Sequence, residues 1–227
     1  MGRFRHEYKY LIDCQTEAIL KIRSEAVLIP DPHTCADGSY YIRSLYFDDQ
    51  QDTCLRENLA GTDPRSKFRI RYYNKNTTLL HLEKKSKKRG MTLKESCSIT
   101  QEECRLLMQG IIPEITSEMS GQKQKLLTEM MLRSLVPKVI VSYERIPFIY
   151  PGGNVRVTFD RKLSSSTEVT SFLDGNYMSR PIFPLGYSIL EVKWDEVMPR
   201  HIKDVLKLEN LQWTAFSKYS MCRRYHL

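Results

Sequence analysis

The chain has 227 residues, 41% hydrophobic and 27% charged, with 35 Lys and Arg against 27 Asp and Glu for a net charge of +8. That balance excludes a disordered chain, is long enough to bury a full core, and contains no run near the ~18 apolar residues of a membrane helix. The six cysteines are scattered without a close Cys-x-x-Cys pair, which argues against structural zinc. The charged stretch from Met1 to Tyr10 is not a secretory leader, so a cytoplasmic protein with reduced thiols is expected.

Taken in chain order, alternation of period two predicts a first strand over residues 6–12. Asp13 then caps a helix over 16–26. Strands follow at 41–47, 67–74, 78–86 and 92–99, the second and third of these forming a hairpin about Asn76. Thr100 opens a helix over 101–110, with Glu103 in the capping-box position. Helical composition continues over 120–135 and stops before Pro137. Strands at 138–148, 155–160 and 187–194 come next, and Pro199 begins a last helix running to 211. Eight strands with inserted helices and no linker predict an α+β fold: an antiparallel eight-stranded β-barrel, closed or nearly so, with helices packed outside. Residues 1–227 are expected to form a single domain.

Residues two apart in a strand share a face, so the phase of the charges carries information. Glu7 and Lys9 share one in the first strand, Arg69 and Arg71 in the third, and Glu83 and Lys85 in the fourth. Tyr143 and Arg145 do so in the sixth, Arg156, Thr158 and Asp160 in the seventh, and Glu191 and Lys193 in the eighth. The opposite faces carry Phe68, Ile70 and Tyr72, then Val155, Val157 and Phe159, then Leu190, Val192 and Trp194. One such strand is explained by a solvated face. Six of them, with helices covering the apolar side, predict a cationic tunnel. Lys and Arg crowded in a low dielectric repel one another unless anions fill the space, and a phosphate chain supplies those anions. Glu7, Glu83 and Glu191 are hard oxygen donors suited to Mg²⁺ or Mn²⁺. For Glu7 and Glu83, neutralising neighbouring cations is the slightly favoured alternative.

Other charged and aromatic residues have plainer expectations. The run Lys84 to Arg89 is expected at a hairpin tip, with Lys85 the only member on the inner face. Asp48 and Asp160 are equally compatible with ligating the metal and with supporting the site or pairing with its cations. Arg223 and Arg224 read as a terminal basic tail, and His6 and His81 as lying opposite the charged face. Tyr72, Tyr73, Tyr143 and Tyr219 beside basic residues leave open base stacking by a polyanion-binding module.

These segments together resemble a known family. Arg5-His6-Glu7-Tyr8-Lys9-Tyr10, Ser44-Leu45-Tyr46-Phe47-Asp48, Arg69-Ile70-Arg71-Tyr72, Leu82-Glu83-Lys84-Lys85, Tyr143-Glu144-Arg145, Arg156-Val157-Thr158-Phe159-Asp160, Leu190-Glu191-Val192-Lys193 and Phe216-Ser217-Lys218-Tyr219 occur in this order. The set is similar to the catalytic domain of the VTC (vacuolar transporter chaperone) polyphosphate polymerases, within the triphosphate tunnel metalloenzymes that also include the CYTH phosphatases and cyclases. The resemblance implies transfer of the terminal phosphoryl of ATP to a growing inorganic polyphosphate. It implies Lys9, Arg69, Arg71, Lys85, Arg145, Arg156 and Lys218 as the catalytic set, and Lys94 and Ser217 as substrate-binding. Tyr143 and Lys193 join the latter by sharing the charged face. Glu191 is the implied ligand of Mn²⁺ or Mg²⁺. A tripolyphosphatase or nucleoside triphosphatase in the same tunnel is the competing activity. Glu7-Tyr8-Lys9 leans towards the Glu-x-Lys ending of the CYTH signature, although Arg5 stands where that signature has another Glu. Ala215 stands where eukaryotic polymerases tend to carry a lysine. No nucleic-acid partner is expected, the oligomeric state is left open, and moving product across a membrane would require a membrane partner.

Overall fold

A computed structural model describes residues 6–89, 91–213 and 217–226. Arg5, Ala215 and Phe216, which belong to the sequence markers above, lie outside the described residues. The chain begins with β1 (His6–Asp13), α1 (Cys14–Val27), β2 (Ile29–Pro30), β3 (Tyr40–Asp48) and α2 (Thr53–Ala60). It continues through β4 (Arg65–Tyr73), β5 (Asn76–Lys88), β6 (Met91–Ile99), α3 (Gln101–Met108) and α4 (Gly121–Leu132). Then come β7 (Val136–Tyr150), β8 (Val155–Ser166), β9 (Arg180–Pro181), β10 (Tyr187–Trp194), α5 (Arg200–Leu206) and α6 (Lys218–Arg224).

Local chemistry accounts for the element ends. Asp13 Oδ1 accepts from Thr16 N at 2.7 Å and starts α1. The capping box at α3 is formed: Glu103 N donates to Thr100 Oγ1 at 3.1 Å, and Thr100 N donates to Glu103 Oε2 at 2.7 Å. Asn74 and Lys75 turn the β4–β5 hairpin with φ of 49° and 59°, the left-handed pair that a tight hairpin requires. The helix expected to continue to residue 211 stops at Leu206, because Lys207 takes φ 44°.

The main sheet runs β1-β10-β8-β7-β3-β4-β5-β6, with β2 added to β7 and β9 to β8. Every pairing is antiparallel. Two corrections to the expected barrel follow. The sheet does not close, since among the described residues no ladder joins β6 to β1. Tyr10 instead makes an isolated bridge to Trp213, so the outer edge of β1 is partly covered by chain leading to α6. Nor are all helices outside. On the outer face Phe68, Ile70 and Leu82 pack against Leu107 of α3 and Leu127 and Met130 of α4. Val157, Phe159 and Val192 likewise pack with Leu20 of α1 and Ile202 of α5. By contrast, Tyr219 and Cys222 of α6 pack with Tyr46, Val141 and Tyr143, whose side chains share the strand face of Arg69 and Arg145. α6 fills part of the concave side, and α2 reaches the same cluster through Cys54 and Leu55. No helix among the described residues is long and apolar enough to cross a membrane.

Candidate functional site

The register brings the predicted charged residues together on the concave face. Lys9 stands opposite Glu191, and Glu7 opposite Lys193, across the β1–β10 pair. Glu191 stands opposite Thr158, and Lys193 opposite Arg156, across β10–β8. Arg145 stands opposite Asp160 on β7–β8. On the other half of the sheet, Arg69 faces Glu83, while Lys67, Lys85 and Lys94 form one row across β4, β5 and β6.

Ion pairs join the first group into a continuous network. Arg145 grips Asp160 with two parallel bonds, Nε to Oδ1 at 2.6 Å and Nη2 to Oδ2 at 2.8 Å. Lys218 Nζ, projected inward by α6, reaches the same carboxylate at 2.5 Å. Glu191 is approached by Lys193, by Lys9 at 3.5 Å and by Arg145 at 3.8 Å. Lys9 also meets Glu7 at 2.8 Å. A second group centres on Glu83, which takes Arg69 at 2.6 Å and Lys94 at 2.5 Å, with Arg71 at 4.0 Å. Arg156 stands at the rim and binds Asp31 at 2.6 Å and the Tyr40 hydroxyl at 3.0 Å. The groups grade from closed to open: the side chains of Arg145 and Lys218 are each 9% exposed, that of Lys94 53%.

The cations named outnumber the carboxylates among them, and the electrostatics follow. Burial works against ionised Glu191, but Lys193, Lys9, Lys218 and Arg145 outweigh it and hold the carboxyl well below its ordinary range. Glu7 and Glu83 are depressed in the same way, chiefly by Lys9 and by Arg69 respectively, and Asp160 by Arg145 and Lys218. Burial, reinforced by Lys9 and Lys193 and opposed by Glu7, pushes the Lys85 amine down to about 8.

Several expectations change in the folded chain. Tyr143 is buried, its ring lying under Arg145 and Lys218 at 5.4 and 4.9 Å, so it holds cations in place. Tyr72 and Tyr219 are fully buried, which removes them as stacking platforms for bases. His81 stands opposite Arg71 on the Glu83 face, not on the other side, whereas His6 stacks on Trp194 across the outer face. Arg223 is no loose tail: its Nη2 contacts both oxygens of Asp52 at 2.7 Å. Asp48 is an anchor, accepting from Cys54 N at 2.8 Å, Leu55 N at 2.9 Å and the Tyr219 hydroxyl at 2.5 Å. It thereby pins α2 and α6 to the end of β3. One residue escaped sequence reasoning although its signal was present. Lys67 precedes Arg69 and Arg71 at the same period of two, and its Nζ donates to Ser217 Oγ at 3.2 Å.

Among the described residues no three or more His, Cys, Asp or Glu side chains gather as a metal cage. Glu7 and Glu191 nevertheless share Lys9, and Glu191 and Asp160 share Arg145 and Lys218. Such ionised pairs fit Mg²⁺ or Mn²⁺ in the usual phosphate-borne mode, one or two carboxylates with phosphate oxygens and waters completing the shell. Glu83 stands apart on β5 among its own cations.

Residues 4–226 match the family model of the VTC domain. Among solved structures, a candidate adenylate cyclase from Bacillus halodurans is similar at 16% identity, covering 96% of each chain with a TM-score of 0.56. A Pyrococcus horikoshii protein is similar at 14% identity, covering 97% of this chain and 99% of its own, with a TM-score of 0.50. At these identities the likeness is one of fold. No functionally curated protein matches the chain in sequence.

Proposed function

Because the chain belongs to the VTC domain family, we propose that its concave face binds ATP and inorganic polyphosphate and transfers the terminal phosphoryl group to the growing chain, with residues 1–227 acting as one unit. The observation that carries this is the convergence of Lys9, Arg69, Arg71, Arg145, Lys193 and Lys218 on one face, each positioned by a carboxylate before a phosphate enters.

The guanidinium groups of Arg69, Arg71 and Arg145 present forks to phosphate oxygens, and the lysines add point charges along the chain. Phosphoryl transfer demands in-line alignment and neutralisation of developing charge more than a covalent nucleophile. Arg145 and Lys218 meet that demand because Asp160 fixes both before substrate arrives, so little reorganisation is needed. Glu191, with Glu7 beside it, would hold Mn²⁺ or Mg²⁺, and the ion would offset charge on the bridging phosphate oxygens.

A second activity is supported by a specific feature. Glu7 and Glu191 meet at Lys9, a paired-carboxylate arrangement suited to orienting water onto tripolyphosphate or a nucleoside triphosphate. Incubation with ATP and Mn²⁺, followed by separation of products on a gel, discriminates the two. Polymer with ADP is the expected outcome. ADP and orthophosphate without polymer would assign the hydrolase instead, and bound polyphosphate without turnover would remove both.

A further inference from the structure

Nine cations on the concave face meet a carboxylate within 4.0 Å: Lys9, Arg69, Arg71, Lys85, Lys94, Arg145, Arg156, Lys193 and Lys218. Lys67 differs from them. Among the described residues its Nζ has no carboxylate at that distance, and its polar contact is the Ser217 hydroxyl. The register sets it directly opposite Lys85, which in turn stands opposite Lys94. Like charges placed directly across a ladder are unfavourable, and the other two lysines of the row are relieved by Glu7 and Glu83 respectively. Of the three lysines in this row, Lys67 is the one without a carboxylate among the described residues, and it lies beside a hydroxyl able to donate its own hydrogen to an anion.

We propose that Lys67 and Ser217 form a further phosphate-binding point of the cleft, kept clear of protein carboxylates so that an oxygen of the bound chain supplies the missing negative charge. The inference rests on the polyphosphate reading above and adds to it a residue that the family resemblance did not mark. It also carries a proton with it. Burial first, then Lys85 of β5, Lys9 of β1 and Arg69 of β4, push the Lys67 amine well below its ordinary value, with Glu7 of β1 opposing them. An entering phosphate favours the charged ammonium, so occupancy of this point is linked to protonation of Lys67.

The test is calorimetric titration of the protein with tripolyphosphate, without divalent metal, at neutral pH in two buffers of different ionisation enthalpy. The wild type should take up more protons on binding, or release fewer, than the Lys67→Met variant. Lys67→Met should weaken binding by about tenfold or more, the effect of one lost charge-assisted contact, and reduce the uptake. Lys67→Arg, charged at every accessible pH, should retain the affinity and show the same reduction in uptake. Binding and uptake in Lys67→Met equal to the wild type would overturn this assignment alone. No binding of tripolyphosphate to the wild type would overturn it together with the polyphosphate reading. A weakened Lys67→Met variant whose uptake is unchanged would overturn the proton linkage.

Discussion

Lys85 Nζ of β5 lies 2.7 Å from Glu7 Oε2 of β1, although those strands belong to opposite halves of the sheet and among the described residues no ladder joins its two edges. A side-chain ion pair bridges the concave face where backbone pairing does not.

The bridge should be sensitive to alkaline pH. Lys85 titrates near 8 in the folded chain and near its ordinary 10.5 when unfolded. Below about 8 both states are charged and burial of the ammonium opposes folding. Between those values the unfolded chain holds more protons, so this opposition fades as pH rises. Thermal melts across that range should show Lys85→Met more stable relative to the wild type below pH 8, with the advantage shrinking towards 10.5. Affinity for tripolyphosphate should fall in the wild type over the same rise, as the ammonium loses its charge.

Asp160 should matter most for stability. Replacing it with Asn leaves Arg145 and Lys218 buried without their shared carboxylate, and losses of about 3–5 kcal/mol attend such broken pairs. Urea denaturation measures this. Because the Asp160 carboxyl titrates below its ordinary 3.8, its contribution is present above that value and is lost as pH falls through the depressed one. The gap between wild type and Asp160→Asn should therefore close in acid.

Glu191→Gln should separate binding from chemistry. Turnover with Mn²⁺ or Mg²⁺ should drop by about 100-fold or more, the scale of losing a group that acts on transition-state charge. Metal-free tripolyphosphate binding should persist or tighten, because a competing carboxylate has left Lys9 and Lys193. Turnover at the wild-type rate would remove Glu191 from the site.

Tyr219→Phe probes the inward helix. Its hydroxyl donates to buried Asp48, and removing that donor should destabilise the protein by about 1–3 kcal/mol in urea unfolding. Turnover should fall as well, because Lys218 is the adjacent residue of the same helix and would lose its fixed position.

Much of the site was legible because strand phase is a local property. Glu7 and Lys9, Arg69 and Arg71, or Glu191 and Lys193 share a face whatever lies around them, and the apolar residues between them declare the buried side. The same logic extends to Lys67 and His81, each two residues from a marked position. The role of Asp48 was not legible. Its partners in α2 and α6 lie 6, 7 and 171 positions away, and only the folded chain brings the last of them near. α2 and α6 themselves, of eight and seven residues, are too short for periodicity to announce and are fastened by tertiary contacts.

By itself, the sequence determined which side chains would share a face and that this face would be cationic, because a pleated strand alternates regardless of context. Only the tertiary structure decided that the sheet stays open between β1 and β6, that α6 enters its concave side, and which carboxylate each cation meets. Those outcomes depend on how strand edges and distant charges compete for the same space, and no period within a single segment encodes that competition.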